Sequence, residues 1–241
     1  MKDKILIFII TYKASYRVEK VVQKIPFKYL KNKNFKIYIS DDDSKDDTIN
    51  YIKKIKKKYK SKVVVNFLKK NVGYGANIKR CLNFAYKNHY SHAVMIHGDN
   101  QYNPKYAAIM LENLFRNRKL AATVGSRMTK KINALKGRMP LYKFIGNIFL
   151  TGIFNLLYGT NFADCHTGYW AYNLNLIKKK DFQNLDNNFC FDIDMRLQLV
   201  SDKKSIKEIP IETFYGSERS VIHFIYAVRF FLKTIIFKIF K

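Results

Sequence analysis

Cysteine is scarce in this 241-residue chain, and acid is scarcer still relative to base. The three cysteines, Cys81, Cys165 and Cys190, are odd in number and far apart, with no CxxC pair. That excludes a disulfide framework and a cysteine zinc site, and leaves isolated thiols in a reducing compartment. No internal repeat is evident. The amino terminus enters an apolar, β-branched run at once, with no basic region ahead of a long apolar stretch, so no signal peptide is expected. Acidic residues number 18 against 45 Lys and Arg, a formal charge of +27. Such a balance favours anionic partners: nucleic acid, lipid headgroups or phosphorylated small molecules. Coding bias toward Lys, Asn, Ile, Tyr and Phe accounts for part of the excess. The basic residues are scattered and form no recognisable motif, so nucleic acid is not expected as a partner.

What is present begins with size and apolar content. At 48% hydrophobic and 15% aromatic residues the chain is not disordered, and its length suffices for one α/β domain with an appendage. Strand-like runs at 5–10, 35–39, 62–67, 93–96 and 121–124 alternate with helical patterns at 16–24, 47–59, 74–88 and 104–116. This rhythm predicts a mostly parallel sheet with helices on both faces. Ser44 or Asp46 can cap the second helix, and the lysine run 53–62 reads as a solvated face. The rhythm then breaks. A long apolar helix is expected over 141–158, a short strand at 169–172, a helix at 192–200 and a strand at 205–209.

Two acidic loops follow predicted strands: Asp41-Asp42-Asp43-Ser44-Lys45-Asp46-Asp47, and His97-Gly98-Asp99-Asn100-Gln101. In an open α/β sheet, ligands bind outside the carboxyl ends of the strands, so both loops converge on one crevice. One can take hydrogen bonds from a base or ribose. The other can hold a hard divalent cation, Mg²⁺ or Mn²⁺, against a diphosphate. Asp99 is the first candidate for that task, and Asp41 and Asp42 for nucleoside recognition. Capping of the following helices is the simpler alternative for each. Gly73, in Asn71-Val72-Gly73-Tyr74-Gly75, permits close backbone approach, and the helix it opens can face an anion. Arg127 lies at the same sheet edge and suits bidentate phosphate binding.

These blocks together resemble family 2 glycosyltransferases of the dolichyl- or polyprenyl-phosphate mannose or glucose synthase type, and the resemblance covers most of the chain. Ile9-Ile10-Thr11-Tyr12 resembles the family's donor-edge strand and loop. The stretch Asp41 to Thr48 is similar to DDGSxDxT, with Asp43 where glycine is usual. His97-Gly98-Asp99-Asn100-Gln101 stands at the DxDxQ motif, similar to a subgroup with HGDxQ. Gly125–Met128, Gly137–Lys143, Asp164–Tyr169 and Pro210–Gly216 resemble further blocks.

The resemblance implies a GT-A fold over residues 1–220, and an inverting transfer of mannose or glucose from a GDP- or UDP-sugar to a polyprenyl phosphate. It implies metal and donor roles for Asp99 and Gln101, with His97 as a possible third ligand better suited to Mn²⁺ than Mg²⁺. Thr11 and Tyr12 would meet the donor. Arg127, Arg138, Lys143 and Arg219 would hold phosphates. Asp164 and Asp192 are candidate bases, or they order loops or bind the sugar. A phosphate acceptor, already anionic, needs no base. Transfer to a saccharide hydroxyl, or a catalytically silent scaffold, are the alternative readings.

Residues 221–241 form a basic apolar tail. Arg229 and Lys233 near its middle each oppose insertion by about 2.5–3.5 kcal/mol. An in-plane helix at the cytoplasmic membrane face is therefore expected rather than a span.

Overall fold

The computed structural model describes residues 3–213, 215 and 224–240. In chain order these form β1 (Lys4–Thr11), α1 (Arg17–Gln23), α2 (Phe27–Leu30), β2 (Asn34–Asp41), α3 (Thr48–Tyr59), β3 (Val63–Phe67), α4 (Tyr74–Lys87) and β4 (His92–His97). There follow α5 (Tyr106–Arg116), β5 (Leu120–Ser126), α6 (Lys131–Lys136), α7 (Leu141–Tyr158), β6 (Trp170–Asn173), α8 (Lys180–Gln183), α9 (Phe191–Ser201), β7 (Ser205–Pro210) and α10 (Phe224–Phe240).

The strands make one seven-stranded sheet in the order β3-β2-β1-β4-β6-β5-β7. Every pairing is parallel except those of β6, which runs antiparallel between β4 and β5. The expected α/β rhythm is present, and β6 is the strand expected near 169–172. Strand β1 is apolar throughout because both of its faces are covered. Ile5, Ile7 and Ile9 join a core with Val21 of α1, Ile52 of α3 and Leu111 of α5. Leu6, Phe8 and Ile10 point the other way, into a core with Ile78 and Leu82 of α4 and Met195 of α9. All three cysteines are free and buried, and burial pushes Cys165 up to about 12 and Cys190 up to about 11.

Helices α7 and α10 pack on each other and on α9 around Phe154, Ile193, Leu197 and Phe230. The Tyr158 hydroxyl donates to the Thr234 carbonyl at 2.8 Å. Lys233 donates to both oxygens of Asp194, at 3.0 and 2.7 Å, and lies 3.6 Å from Asp186. Arg229 is 3.8 Å from Asp186. The two cations near the middle of the expected tail are thus paired with carboxylates of the domain itself, which seats α10 against α9. Residues 221–223 and 241 of the expected tail, and Arg219, lie outside the described residues. Among the described residues, the helix long and apolar enough to cross a membrane is α7, with mean hydropathy 1.2, and it lies mid-chain.

Candidate active site

The carboxyl ends of β1, β2 and β4 lie side by side, with Thr11 paired in register with Asp41, and Ile10 with His97. Thr11, Asp41, Asp42, His97, Asp99 and Gln101 therefore gather at one sheet edge. Gly98 lets the two strand ends close up: a Cβ there would stand 2.4 Å from Thr11 Cγ2. Tyr12, half exposed, borders this edge.

Asp41 is buried and accepts from Thr11 Oγ1 at 2.9 Å, Ser44 Oγ at 2.7 Å and Ser44 N–H at 2.9 Å. Asp42 is also buried, and its two oxygens accept the N–H groups of Val72 at 2.8 Å and Gly73 at 3.0 Å. The anion at the start of α4 is therefore the Asp42 carboxylate. In this structure the N–H of Gly73, expected to approach a donor, is engaged by that carboxylate. Burial raises Asp42 above the usual carboxylate range, against the two N–H bonds that favour its charge. Both carboxylates, expected to meet a nucleoside, tie loops together in this structure. From the other side the loop before α9 covers α4, with Ala76 N–H donating to the Asn187 carbonyl at 2.9 Å. Gly73, at φ 94°, has no room for a Cβ, which would stand 2.7 Å from that carbonyl.

Asp43 adopts φ 62°, in the left-handed region that glycine enters without strain and aspartate tolerates. That accounts physically for glycine being usual there. Asp46, one residue ahead of the α3 N-cap Asp47, accepts Thr48 N–H at 3.1 Å.

The loop after β4 is built differently. Asp99 is half-buried, and among the described residues its carboxylate accepts one hydrogen bond, from Gln101 N–H at 2.9 Å. Its second oxygen is uncommitted. His97 Nε2 lies 2.8 Å from the Gly168 carbonyl and 3.4 Å from the Tyr74 hydroxyl. Burial holds the imidazole below its ordinary pKa, against the charge of Asp99 and the Gly168 bond, so the ring is neutral at neutral pH. Among the described residues no three His, Cys, Asp or Glu side chains converge as a ready-made cage. Asp99 with the remaining nitrogen of His97 fits a cation that takes most of its oxygens from a diphosphate and water.

A second cluster lies at the β5 edge. Arg127 donates to Asp164 through Nε at 2.7 Å and Nη2 at 2.9 Å, to the His166 carbonyl at 3.0 Å and to the Tyr215 hydroxyl at 3.0 Å. Four of the five guanidinium N–H groups are thus taken. Asp164 also accepts the N–H groups of Arg127 and His166, at 3.2 and 3.1 Å. Burial alone would raise this carboxyl, yet Arg127 holds it below its ordinary range. Of the readings open to Asp164, loop ordering is the one the geometry carries, since a base would need a free oxygen. Lys143, in the first turn of α7, places Nζ 5.8 Å from the Tyr215 ring centre. Its pKa is lowered first by desolvation and then by the charge of Arg127. Arg138 is exposed in the turn between α6 and α7. The segment 164–168 joins the clusters, holding Arg127 at one end and His97 at the other.

Asp192 is pushed up to about 7 by burial; Tyr74 donates to its Oδ2 at 2.8 Å, and its Oδ1 has no partner among the described residues. Tyr74, Gly168, Tyr215 and Arg196 were not singled out from sequence. Arg196, buried and donating to the Asp164 carbonyl at 3.1 Å, carried a signal, being a charge one helical turn after Asp192.

Known proteins resemble this chain in fold and in sequence. Glucosyl-3-phosphoglycerate synthase from Mycobacterium tuberculosis, solved with Mn²⁺, UDP and phosphoglyceric acid, superimposes with a TM-score of 0.68 at 11% identity, over 98% of this chain and 78% of that one. The same enzyme with Mn²⁺, UDP-glucose and phosphoglyceric acid gives 0.68 at 12% identity, over 98% and 79%. At such identity the likeness shows the fold, which is GT-A. A relative from Methanococcus voltae, UDP-N-acetylglucosamine–dolichyl-phosphate N-acetylglucosaminyltransferase, is 29% identical over 227 residues, 89% of this chain and 88% of its own length. The glycosyl transferase family 2 model matches residues 6–179, and the chain belongs to that family.

Proposed function

We infer that the protein transfers a sugar from a nucleoside diphosphate to a polyprenyl phosphate at the cytoplasmic membrane face, inverting the anomeric centre. The observation that carries this reading is where α7 begins. Its first turn holds Lys143 beside Tyr215 and Arg127, and from there its face is largely exposed. Leu141 is 65% exposed, Phe149 63% and Leu156 83%. An acceptor with an anionic head and an apolar tail matches both halves. The head relieves the repulsion between Lys143 and Arg127, and the tail follows the apolar helix. Ile132 and Leu135 of α6, and Ile236 and Ile239 of α10, are exposed as well. Lys130, Lys131, Lys136 and Arg138 are exposed along the same stretch. Apolar area with basic residues among it suits an in-plane membrane contact.

At the donor edge Asp99 and His97, with Gln101 beside them, would hold Mg²⁺ or Mn²⁺, which when bound neutralises the diphosphate leaving group. The exposed Tyr12 ring is the surface for the base, and Thr11, bonded to Asp41, shapes the floor. A UDP-sugar is favoured by the Methanococcus voltae relative, whose name specifies UDP-N-acetylglucosamine. On that support the reading takes an N-acetylhexosamine before mannose or glucose.

The test supplies the protein with labelled UDP-N-acetylglucosamine, UDP-glucose and GDP-mannose, each with a polyprenyl phosphate or a soluble saccharide. Label from a UDP-sugar should enter the organic phase, and Lys143→Gln should raise the KM for lipid ten- to a hundredfold, the range of a charge-assisted bond. Label in the saccharide alone overturns the reading.

A further inference from the structure

The geometry points to Tyr74, held by Asp192, as a positioning residue that fixes the tautomer of His97 and so leaves Nδ1 as the electron-pair donor of that ring. The chain of reasoning starts from atoms that only accept. The Gly168 carbonyl lies 2.8 Å from Nε2 and has no proton to give, so the ring proton belongs on Nε2. The Tyr74 hydroxyl is 3.4 Å from the same nitrogen. Its own hydrogen goes to Asp192 Oδ2 at 2.8 Å, so it turns a lone pair, not a proton, toward the ring. Two acceptors at one nitrogen leave the neutral imidazole a single choice.

The packing holds that choice in place. His97 and Tyr74 rest directly on Gly168, where a Cβ would stand 2.8 Å from the Tyr74 oxygen and 3.1 Å from His97 Cε1 and Nε2. Tyr102 meets the His97 ring edge-on, with centroids 5.0 Å apart. Phe189 stacks on Tyr74 at 5.4 Å and meets Tyr226 of α10 edge-on at 5.2 Å. Partners that bond the far nitrogen of a ligand histidine set its tautomer and orientation, and their loss weakens metal affinity by about 10–100-fold. Asp192 therefore acts through Tyr74, one step removed from the donor loop. The relay rests on the donor-site reading only for its consequence in metal binding. The tautomer itself is a property of the folded chain.

The experiment uses ¹⁵N imidazole spectra of the full chain. Wild type should show His97 protonated at Nε2 and bare at Nδ1. In Asp192→Ala the Tyr74 proton loses its acceptor and turns to Nε2, so the Nδ1–H form should grow. Adding Tyr74→Phe to that variant removes the intruding proton and should restore the Nε2–H form, a reversal that loss of packing does not produce. An unchanged spectrum in Asp192→Ala, or no reversal in the double variant, overturns the relay. Mn²⁺ affinity in the presence of UDP, read by electron paramagnetic resonance, should fall 10–100-fold in Asp192→Ala and recover in part in the double variant. If His97→Ala leaves Mn²⁺ affinity unchanged, His97 is not a ligand and the donor-site reading fails, while the spectra still decide the relay.

Discussion

The loop that follows β2 and the loop that follows β4 end parallel strands on either side of β1 and both carry aspartates, yet they spend their carboxylates in opposite ways. Asp41 and Asp42 are buried, and between them they accept five hydrogen bonds, including two backbone N–H groups at the start of α4. Among the described residues Asp99 accepts one and keeps an oxygen free. The first loop is a knot that fixes β1, β2 and α4 relative to one another. The second is an open hand placed on that frame. An acidic run at a strand end therefore marks the crevice without saying which carboxylate meets the ligand; the number of internal donors each one has already engaged does.

The comparison breaks most sharply if the two loops are exchanged in effect. Asp99→Asn should leave the fold intact and lower transfer by about 10²–10³-fold, the several kcal/mol expected when a metal-side charge is lost. Turnover near wild type in saturating Mn²⁺ removes Asp99 from the donor site. Asp42→Ala should act in the other currency, on stability. It strands the N–H groups of Val72 and Gly73, at about 1–3 kcal/mol for each buried donor, partly offset because Asp42 itself is disfavoured by burial. Urea denaturation reads the loss. If Asp42→Ala is as stable as wild type but fails to bind UDP, the first loop is a ligand site after all.

Asp192 sharpens the contrast, being a half-buried carboxyl with one hydrogen-bond partner among the described residues. Its folded pKa of about 7 lies above the ordinary 3.8, so the folded chain holds this proton more tightly than the unfolded one. The resulting stabilisation is complete below about pH 4 and is lost as pH rises through 7, a decline on the order of a few kcal/mol. Asp192→Asn cannot titrate, so the stability of wild type relative to this variant should fall between pH 4 and 7. The buried histidines His92 and His166, each pushed down to about 4, run the opposite way but are common to both chains and cancel. A difference that is flat with pH would mean Asp192 is ionised throughout.

The alternation of strands and helices was legible because it rests on local patterning: β1 reads as unbroken apolar residues, and both of its faces are in fact covered. The crevice was legible because its loops follow those strands. What the sequence did not disclose are pairings across distance. Asp42 meets Val72, Arg127 meets Asp164, and Lys233 meets Asp194, each across at least thirty residues of chain. Arg127 looked available to a phosphate because nothing local claims it. The same blindness hid Tyr74, whose importance lies in Asp192 and His97 rather than in its own glycine-rich loop.

The smallest expected effect lies within the first loop, at Asp43. Its φ of 62° places a side chain where L-residues pay about 1–2 kcal/mol, less for aspartate than for most. The side chain returns little: its one ion pair, to Lys45 at 2.6 Å, has a lysine 73% exposed, and such pairs contribute about 0–1 kcal/mol. Asp43→Gly should therefore be neutral to stabilising by under about 1 kcal/mol, because glycine relieves the strain but also gains freedom in the unfolded chain. Transfer activity should be unchanged, since the bonds of Asp41 and Asp42 do not involve this side chain. Thermal melting and steady-state kinetics on the same preparation check both halves. A loss of donor affinity with stability unaltered would give Asp43 a ligand of its own, and the first loop would then be only partly a knot.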